Sequence, residues 1–205
     1  MIPNRYQVSS GNLVNYNYAD IASGTGYKIY YGYNEKISGS AYYKLTTDPI
    51  FSYDIESSGS SGTDTTLIKD IDFDILFNKP QNIKGAVKFN FGYTVLTGGT
   101  PFTWITARVR KWNGTTETTL ASVTTPVVQS ATNPKVFCMS ATVPLTHYKV
   151  GETFRITIEL YGYSNPACDH VFFHDPMNRN SCGVTVGTTI GTTKFEVHVP
   201  FVMDL

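Results

Sequence analysis

Apolar and polar positions alternate one by one along most of the chain. In residues 70–77, Ile71, Phe73, Ile75 and Phe77 interleave with Asp70, Asp72 and Asp74, the period of two that gives a strand one dry and one wet face. Residues 85–95 place Val87, Phe89, Phe91, Tyr93 and Val95 on one side. Residues 102–112 set Ile105, Ala107 and Val109 against Thr106, Arg108 and Arg110, and residues 136–143 align Phe137, Met139, Ala141 and Val143. After a turn at 149–152, Phe154, Ile156, Ile158 and Leu160 alternate with Arg155, Thr157 and Glu159. The last run, 194–201, sets Phe195, Val197, Val199 and Phe201 against Lys194, Glu196 and His198. Asn113-Gly114 suits the positive φ angles of a type I′ hairpin and predicts that residues 115–123 return as a strand. Pro200 lacks a ladder donor, which predicts an edge or a strand end. Weaker strand signals lie at Val127-Val128, 171–173 and 184–186, and no window longer than a turn or two repeats at helical spacing.

The first sixty residues differ. Residues 1–26 are polar with scattered Tyr6, Tyr16 and Tyr18, followed by short β-prone pieces at 27–31 and 41–45. Ser57-Ser58-Gly59-Ser60-Ser61-Gly62-Thr63 is composed like a flexible linker or loop tip. The expected organisation is an attachment arm with short strands over residues 1–60 and a β domain over 61–205. Many strands with Gly/Pro-rich turns predict an all-β fold, an antiparallel two-sheet β-sandwich of jelly-roll type with an extended N-terminal arm.

Composition strengthens the β reading. Thr occurs 27 times against nine Leu and nine Ala, alongside 14 Tyr and 12 Phe, a balance that favours pleated surfaces over helices. Sixteen basic residues against sixteen acidic ones give zero net charge, which argues against a partner held by phosphate charge. The N-terminal residues lack a basic patch followed by an apolar segment, so no secretory signal is expected, and no apolar run approaches the ~20 residues that span a bilayer.

Candidate chemistry is sparse. Cys168-x-His170-x-x-x-His174-Asp175, with Cys182 beyond, brings together zinc-type ligands. The spacing matches no standard zinc module, and Val171-Phe172-Phe173 between the histidines looks like a buried strand, so a core strand flanked by loop histidines is preferred and no cofactor is expected. The three aspartates at 70, 72 and 74 read first as a wet strand face, and second as a cluster meeting Lys or Arg from a neighbour. No Gly-x-Ser-x-Gly, phosphate-binding Gly-rich turn or His-Glu-x-x-His is present, and the residues predict no enzyme. A hydrolase on a β scaffold ranks last, for want of a visible acid pair or metal. Trp104 and Trp112 share parity with Arg108 and Arg110 on the wetter side of their strand, as a subunit interface or a sugar-stacking platform would require. With Tyr6, Tyr16, Tyr18 and Tyr30 these four form the candidate assembly interface.

Residues 103–123, the block 148–162 and the endings at 173–179 and 195–201 resemble phage and viral coat-associated proteins with a jelly-roll domain. That resemblance implies a non-enzymatic virion structural protein of the minor capsid, decoration or head-fibre kind, localised to the virion. Its implied partners are further copies of the chain, as a trimer, and other capsid proteins, without direct nucleic-acid or membrane contact. A carbohydrate-binding or receptor-binding module, with a glycan as ligand, is the alternative.

Overall fold

The structure, a computed structural model, describes residues 25–37, 39–96, 101–129 and 134–202. Among these the fold is all-β. The strands are β1 (Thr25–Ile37), β2 (Ser40–Thr46), β3 (Glu56–Ser60), β4 (Thr66–Leu76), β5 (Gln81–Val95), β6 (Phe102–Trp112), β7 (Glu117–Thr124), β8 (Val128–Gln129), β9 (Lys135–Tyr148), β10 (Thr153–Tyr163), β11 (Asp169–Phe173) and β12 (Phe195–Val202). They join in the order β3-β11-β5-β12-β1-β2-β4-β10-β6-β7, with β9 added on β5 and β8 on β6. The six strongly alternating runs coincide with strands to within a residue at their ends, and their dry residues supply much of the core: Phe73, Val87, Phe91, Val109, Phe154, Ile156, Ile158, Phe195 and Val197 have no measurable exposure.

Two features differ from the expected antiparallel pair of sheets. The strands form one hydrogen-bonded path, open at β3 and β7. The joint at its middle, between β2 and β4, is parallel and rests on the single pair Lys44↔Asp74. So short a ladder contributes little, and the halves on either side are held by their inner faces. Phe73 of β4 lies with its ring centroid 4.9 Å from Phe195 of β12 and 6.2 Å from Phe172 of β11. Each fully buried ring of this kind contributes roughly 1.5–3 kcal/mol.

Three local expectations are corrected. The Asn113-Gly114 turn is a four-residue loop: of the two, only Gly114 has positive φ, at 97°, so it is not type I′. Asn113 Oδ1 instead accepts hydrogen bonds from the backbone N–H of Thr115 (3.0 Å) and Thr116 (2.8 Å), which moves the start of β7 to Glu117. Pro200 lies inside the sheet, on β12 between β1 and β5. Its missing donor is tolerated because the β12–β5 register shifts between His198 and Phe201, where Gly85 of β5 takes a φ of 117°. The Ser/Gly stretch at 57–63 is no free linker over its first part: β3 pairs with β11 from Ser57↔Phe172 to Ser60↔Asp169. Residues 25–60 thus supply β1, β2 and β3 to the same sheet as the later strands. Tyr6, Tyr16 and Tyr18, with the rest of residues 1–24 of the expected arm, lie outside the described residues.

The tight contact between halves passes over Gly32 of β1. A Cβ there would meet Phe195 Cδ1 at 2.5 Å and Phe73 Cε1 at 2.9 Å, and both rings are fully buried. Gly32→Ala is expected to lower unfolding stability by about 1–3 kcal/mol, read as a lower urea midpoint with an unchanged slope. An unchanged midpoint would show that the rings are not packed this closely.

Candidate functional site

The polar side of β4, β10, β6 and β7 concentrates charge. Arg155 of β10 stands opposite Asp74 of β4 and Arg110 of β6, and Thr157 stands opposite Asp72 and Arg108. These registers place three guanidinium groups beside five carboxylates. Arg155 donates from Nε and Nη2 to the two oxygens of Asp74, both at 2.7 Å, and from Nη1 to Glu117 at 3.0 Å. Arg108 forks onto Glu159 at 2.6 and 2.9 Å, and Arg110 bridges Glu159 at 3.3 Å and Glu117 at 2.9 Å. The Tyr161 hydroxyl donates to Glu159 at 3.0 Å, and the Thr157 hydroxyl to Asp72 at 2.5 Å. Such two-pronged guanidinium–carboxylate bonds fix both partners in one orientation.

The charges tune one another. Burial pushes the Glu159 carboxyl up, but the hydrogen bonds from Arg108 and Tyr161 outweigh it and hold its pKa below the ordinary value. Asp70, at the exposed margin, goes the other way: partial burial and the neighbouring Asp72 and Glu159 charges raise its pKa. Acid outnumbers base on this face, with Asp70 at its exposed edge. The second reading of the aspartate row, a cluster meeting Arg from a neighbouring strand, describes Asp72 and Asp74.

Aromatic rings continue the same face. Trp104 stacks on Tyr161 at 5.6 Å with 4° between planes, and Phe102 on Tyr163 at 4.8 Å with 7°. The Arg155 guanidinium lies 5.7 Å from the Trp112 ring centre. Trp104, Arg108, Arg110 and Trp112 are thus brought together, although each tryptophan already has a ring face occupied by an intramolecular partner. Tyr30 is not with them. It is 2% exposed and packs against Phe201.

The cysteine–histidine segment becomes β11 and its flanks. His170 lies within β11 and His174 in the loop that follows it, as expected for a flanking histidine, and both are fully buried. His174 Nε2 lies 2.9 Å from Ser57 Oγ, and His170 Nε2 lies 3.5 Å from Cys168 Sγ. His170 Nδ1 is 2.6 Å from the Tyr93 hydroxyl. Each pair is the contact of a nucleophile with a base. Neither is open to a substrate: both histidines have zero exposure, Cys168 has 2% and Ser57 has 5%. No carboxylate orients either ring, and His174 Nδ1 has no hydrogen-bond partner. Among the described residues no cluster of three or more His, Cys, Asp or Glu side chains is placed to hold a metal. The Ser57–His174 contact instead ties β3 to the loop after β11, and the Tyr93–His170 contact ties β5 to β11. Ser57 was hidden in a run of small residues. The sequence signal for its role was the serine's place in a segment short enough to pair with the apolar 171–173 run.

No protein-family model matches the chain, and no curated protein matches it. Solved structures do share its fold. An alpha-amino acid ester hydrolase superposes with a TM-score of 0.59 at 10% identity, over 85% of this chain and 36% of the hydrolase. A CocE/NonD family hydrolase from Staphylococcus aureus gives 0.55 at 10% identity, over 87% and 37%. An aminopeptidase from a marine sediment Thaumarchaeota archaeon gives 0.54 at 7% identity, over 84% and 37%. The chain therefore spans little more than a third of the length of these proteins. At such identities the likeness shows the fold. The expected virion protein and the expected absence of an enzyme are both corrected by this finding, since the solved structures named above that share the fold are hydrolytic enzymes. Strand content, Tyr surplus and neutral charge report a β surface, and such a surface serves a hydrolase equally well.

Burial pushes the pKa of both His170 and His174 down from 6.5 to about 4. Unfolded, each binds a proton below its ordinary value. Folded, each stays neutral until about pH 4. Their contribution is present in full above about 6.5 and drains away as pH falls towards 4, by about 1.4 kcal/mol per pH unit for each ring. Carboxylates with lowered values, such as Glu159 and Glu196, lose theirs only below about 4.5. Urea unfolding should therefore weaken by about 2–4 kcal/mol between pH 7 and 5, and the His170→Gln/His174→Gln pair should flatten that slope. A wild-type profile already flat over this interval would mean that the rings are solvated.

Proposed function

We propose that the chain works in ester or peptide hydrolysis as the β part of a hydrolase, with its charged aromatic face turned towards the unit that carries the reacting groups. The observation that carries this reading is one of proportion: 85% of this chain corresponds to 36% of the ester hydrolase. An equivalent of the remaining length would be the partner, whether in the same polypeptide or in another. The two halves with apposed inner faces are read, more finely, as a jelly-roll sandwich, which leaves the outer face of β4, β10, β6 and β7 free to dock.

Chemistry favours that face. Trp, Tyr and Arg are the residues that anchor protein interfaces, and here Arg108, Arg110 and Arg155 are already held by carboxylates, so docking freezes few additional rotamers. Its excess of acid over base suits a basic surface on the partner.

Asp70 tests the face without disturbing the lattice, because its neighbours repel it. The protein, tagged on this chain and purified from the cells that make it, should hydrolyse an α-amino acid ester such as phenylalanine methyl ester or an aminoacyl-anilide. Asp70→Lys with Trp104→Ala should reduce that rate at least tenfold while the purified chain keeps its thermal midpoint within a few degrees. Undiminished hydrolysis would reject the docking face. Absence of hydrolysis from the native preparation would reject the hydrolase reading itself.

A further inference from the structure

The loop between β2 and β3 turns its aromatic rings outward. Phe51 is 72% exposed and Tyr53 59%, while Ser52 between them has no exposure. Large apolar side chains gathered in the open in this way mark interaction surfaces.

Buried polar groups keep the rings from folding inward. The Ser52 hydroxyl accepts from the Asn34 N–H at 2.9 Å and donates to the Asp54 carbonyl at 2.6 Å. The Tyr53 N–H donates to the Asn34 carbonyl at 3.1 Å, and Asn34 Nδ2 to the Asp54 carboxylate at 2.8 Å. On the other side, fully buried Asp175 accepts from Arg179 Nε at 3.0 Å, from Arg179 Nη2 at 2.9 Å and from the N–H of Met177 at 3.1 Å. Arg179 in turn donates to the Ser52 carbonyl at 3.0 Å and lies 4.8 Å from the centre of the Phe51 ring. Lys36 Nζ lies 4.6 Å from the centre of the Tyr53 ring. Both rings are therefore oriented before a partner arrives, which lowers the entropy lost on binding.

Charge identifies the partner. Lys36 of β1 and Asp54 of the loop flank the rings, and neither makes an ion pair with a described residue, nor with the other. One patch thus holds both members of an ion pair without joining them, and a surface of that kind is complementary to a copy of itself. Equal numbers of acidic and basic residues mean that two copies do not repel at long range. The exposed parts of Phe51 and Tyr53 come to roughly 200–300 Å², against ~800 Å² per partner in a standard interface, which points to a dimer of modest affinity.

We propose that this loop is the contact between two copies of the chain, related by a two-fold axis. Phe51 and Tyr53 form its centre with Met177 beside them, and Lys36 of each copy meets Asp54 of the other. The contact uses neither the charged face of β4, β10, β6 and β7 nor the histidine pairs, so it stands independently of the hydrolase reading.

Sedimentation equilibrium of the full chain, from micromolar to submillimolar concentration, tests the pairing. The mean mass should climb from that of one chain to that of two. Phe51→Ser/Tyr53→Ser should weaken association at least tenfold. Both rings are exposed, so this variant should keep its thermal midpoint within a few degrees. Lys36→Glu and Asp54→Lys should each dissociate the dimer. An equal mixture of those two variants should associate again, because each mixed pair has two contacts of opposite charge. A chain that stays monomeric throughout would overturn the proposal, in favour of a sugar ligand if a glycan array binds it through these rings. A dimer that Phe51→Ser/Tyr53→Ser leaves unchanged would overturn it as well. So would a mixture that stays dissociated while both charge variants keep their thermal midpoints.

Discussion

The contact of Phe73 with Phe195 and Phe172 holds two halves of the fold that backbone pairing barely joins. Between β2 and β4 the ladder amounts to one parallel pair, whereas β10 is paired along nearly its whole length on both sides. Stability across the joint must then come from side chains, and the inner faces supply a continuous aromatic layer from Phe91 through Phe172 and Phe195 to Phe73. Gly32 is the concession this layer requires, since a side chain there would stand where the rings meet. Because the dry residues are all used inward, the outer face of β10 and its neighbours is left to charge and to Trp104, Tyr161, Phe102 and Tyr163.

Much of this was legible in the alternation. The runs at 70–77, 102–112 and 154–160 showed both their strands and their buried residues, because one side chain in two must face water on a half-buried sheet. Strand order was not legible, because Phe73 and Phe195 look equally apolar whichever partner they meet. Polar residues misled where they were inside. His170 was expected in a loop, yet it lies in β11 beside Tyr93, and His174, in the loop after β11, is buried against Ser57. The Ser/Gly run at 57–63 was expected to be flexible, yet small side chains are what allow β3 to pack: a Cβ on Gly59 would meet Ile68 Cγ2 at 2.7 Å. Composition cannot separate solvated small residues from buried ones.

The candidate site was half legible. Trp104, Arg108, Arg110 and Trp112 share one parity of one strand, so their common face followed from the sequence. Their partners Glu159, Asp74 and Tyr161 come from strands remote in sequence, and only the register of β10 between β4 and β6 places them. Tyr30 shows the opposite error, an aromatic read as a contact surface that is instead buried against Phe201.

The dependence of the whole fold on the inner aromatic layer is tested most directly by native-state hydrogen exchange under increasing denaturant. Amides of Phe89, Phe91 and Val197 on one side of the joint, and of Ile156, Ile158 and Val109 on the other, should merge onto a single opening free energy. The two halves then unfold as one cooperative unit. If the β4-β10-β6-β7 half opens at a clearly lower free energy while β5 and β12 stay protected, the halves are independent, and the Phe73 contact does not hold the fold together.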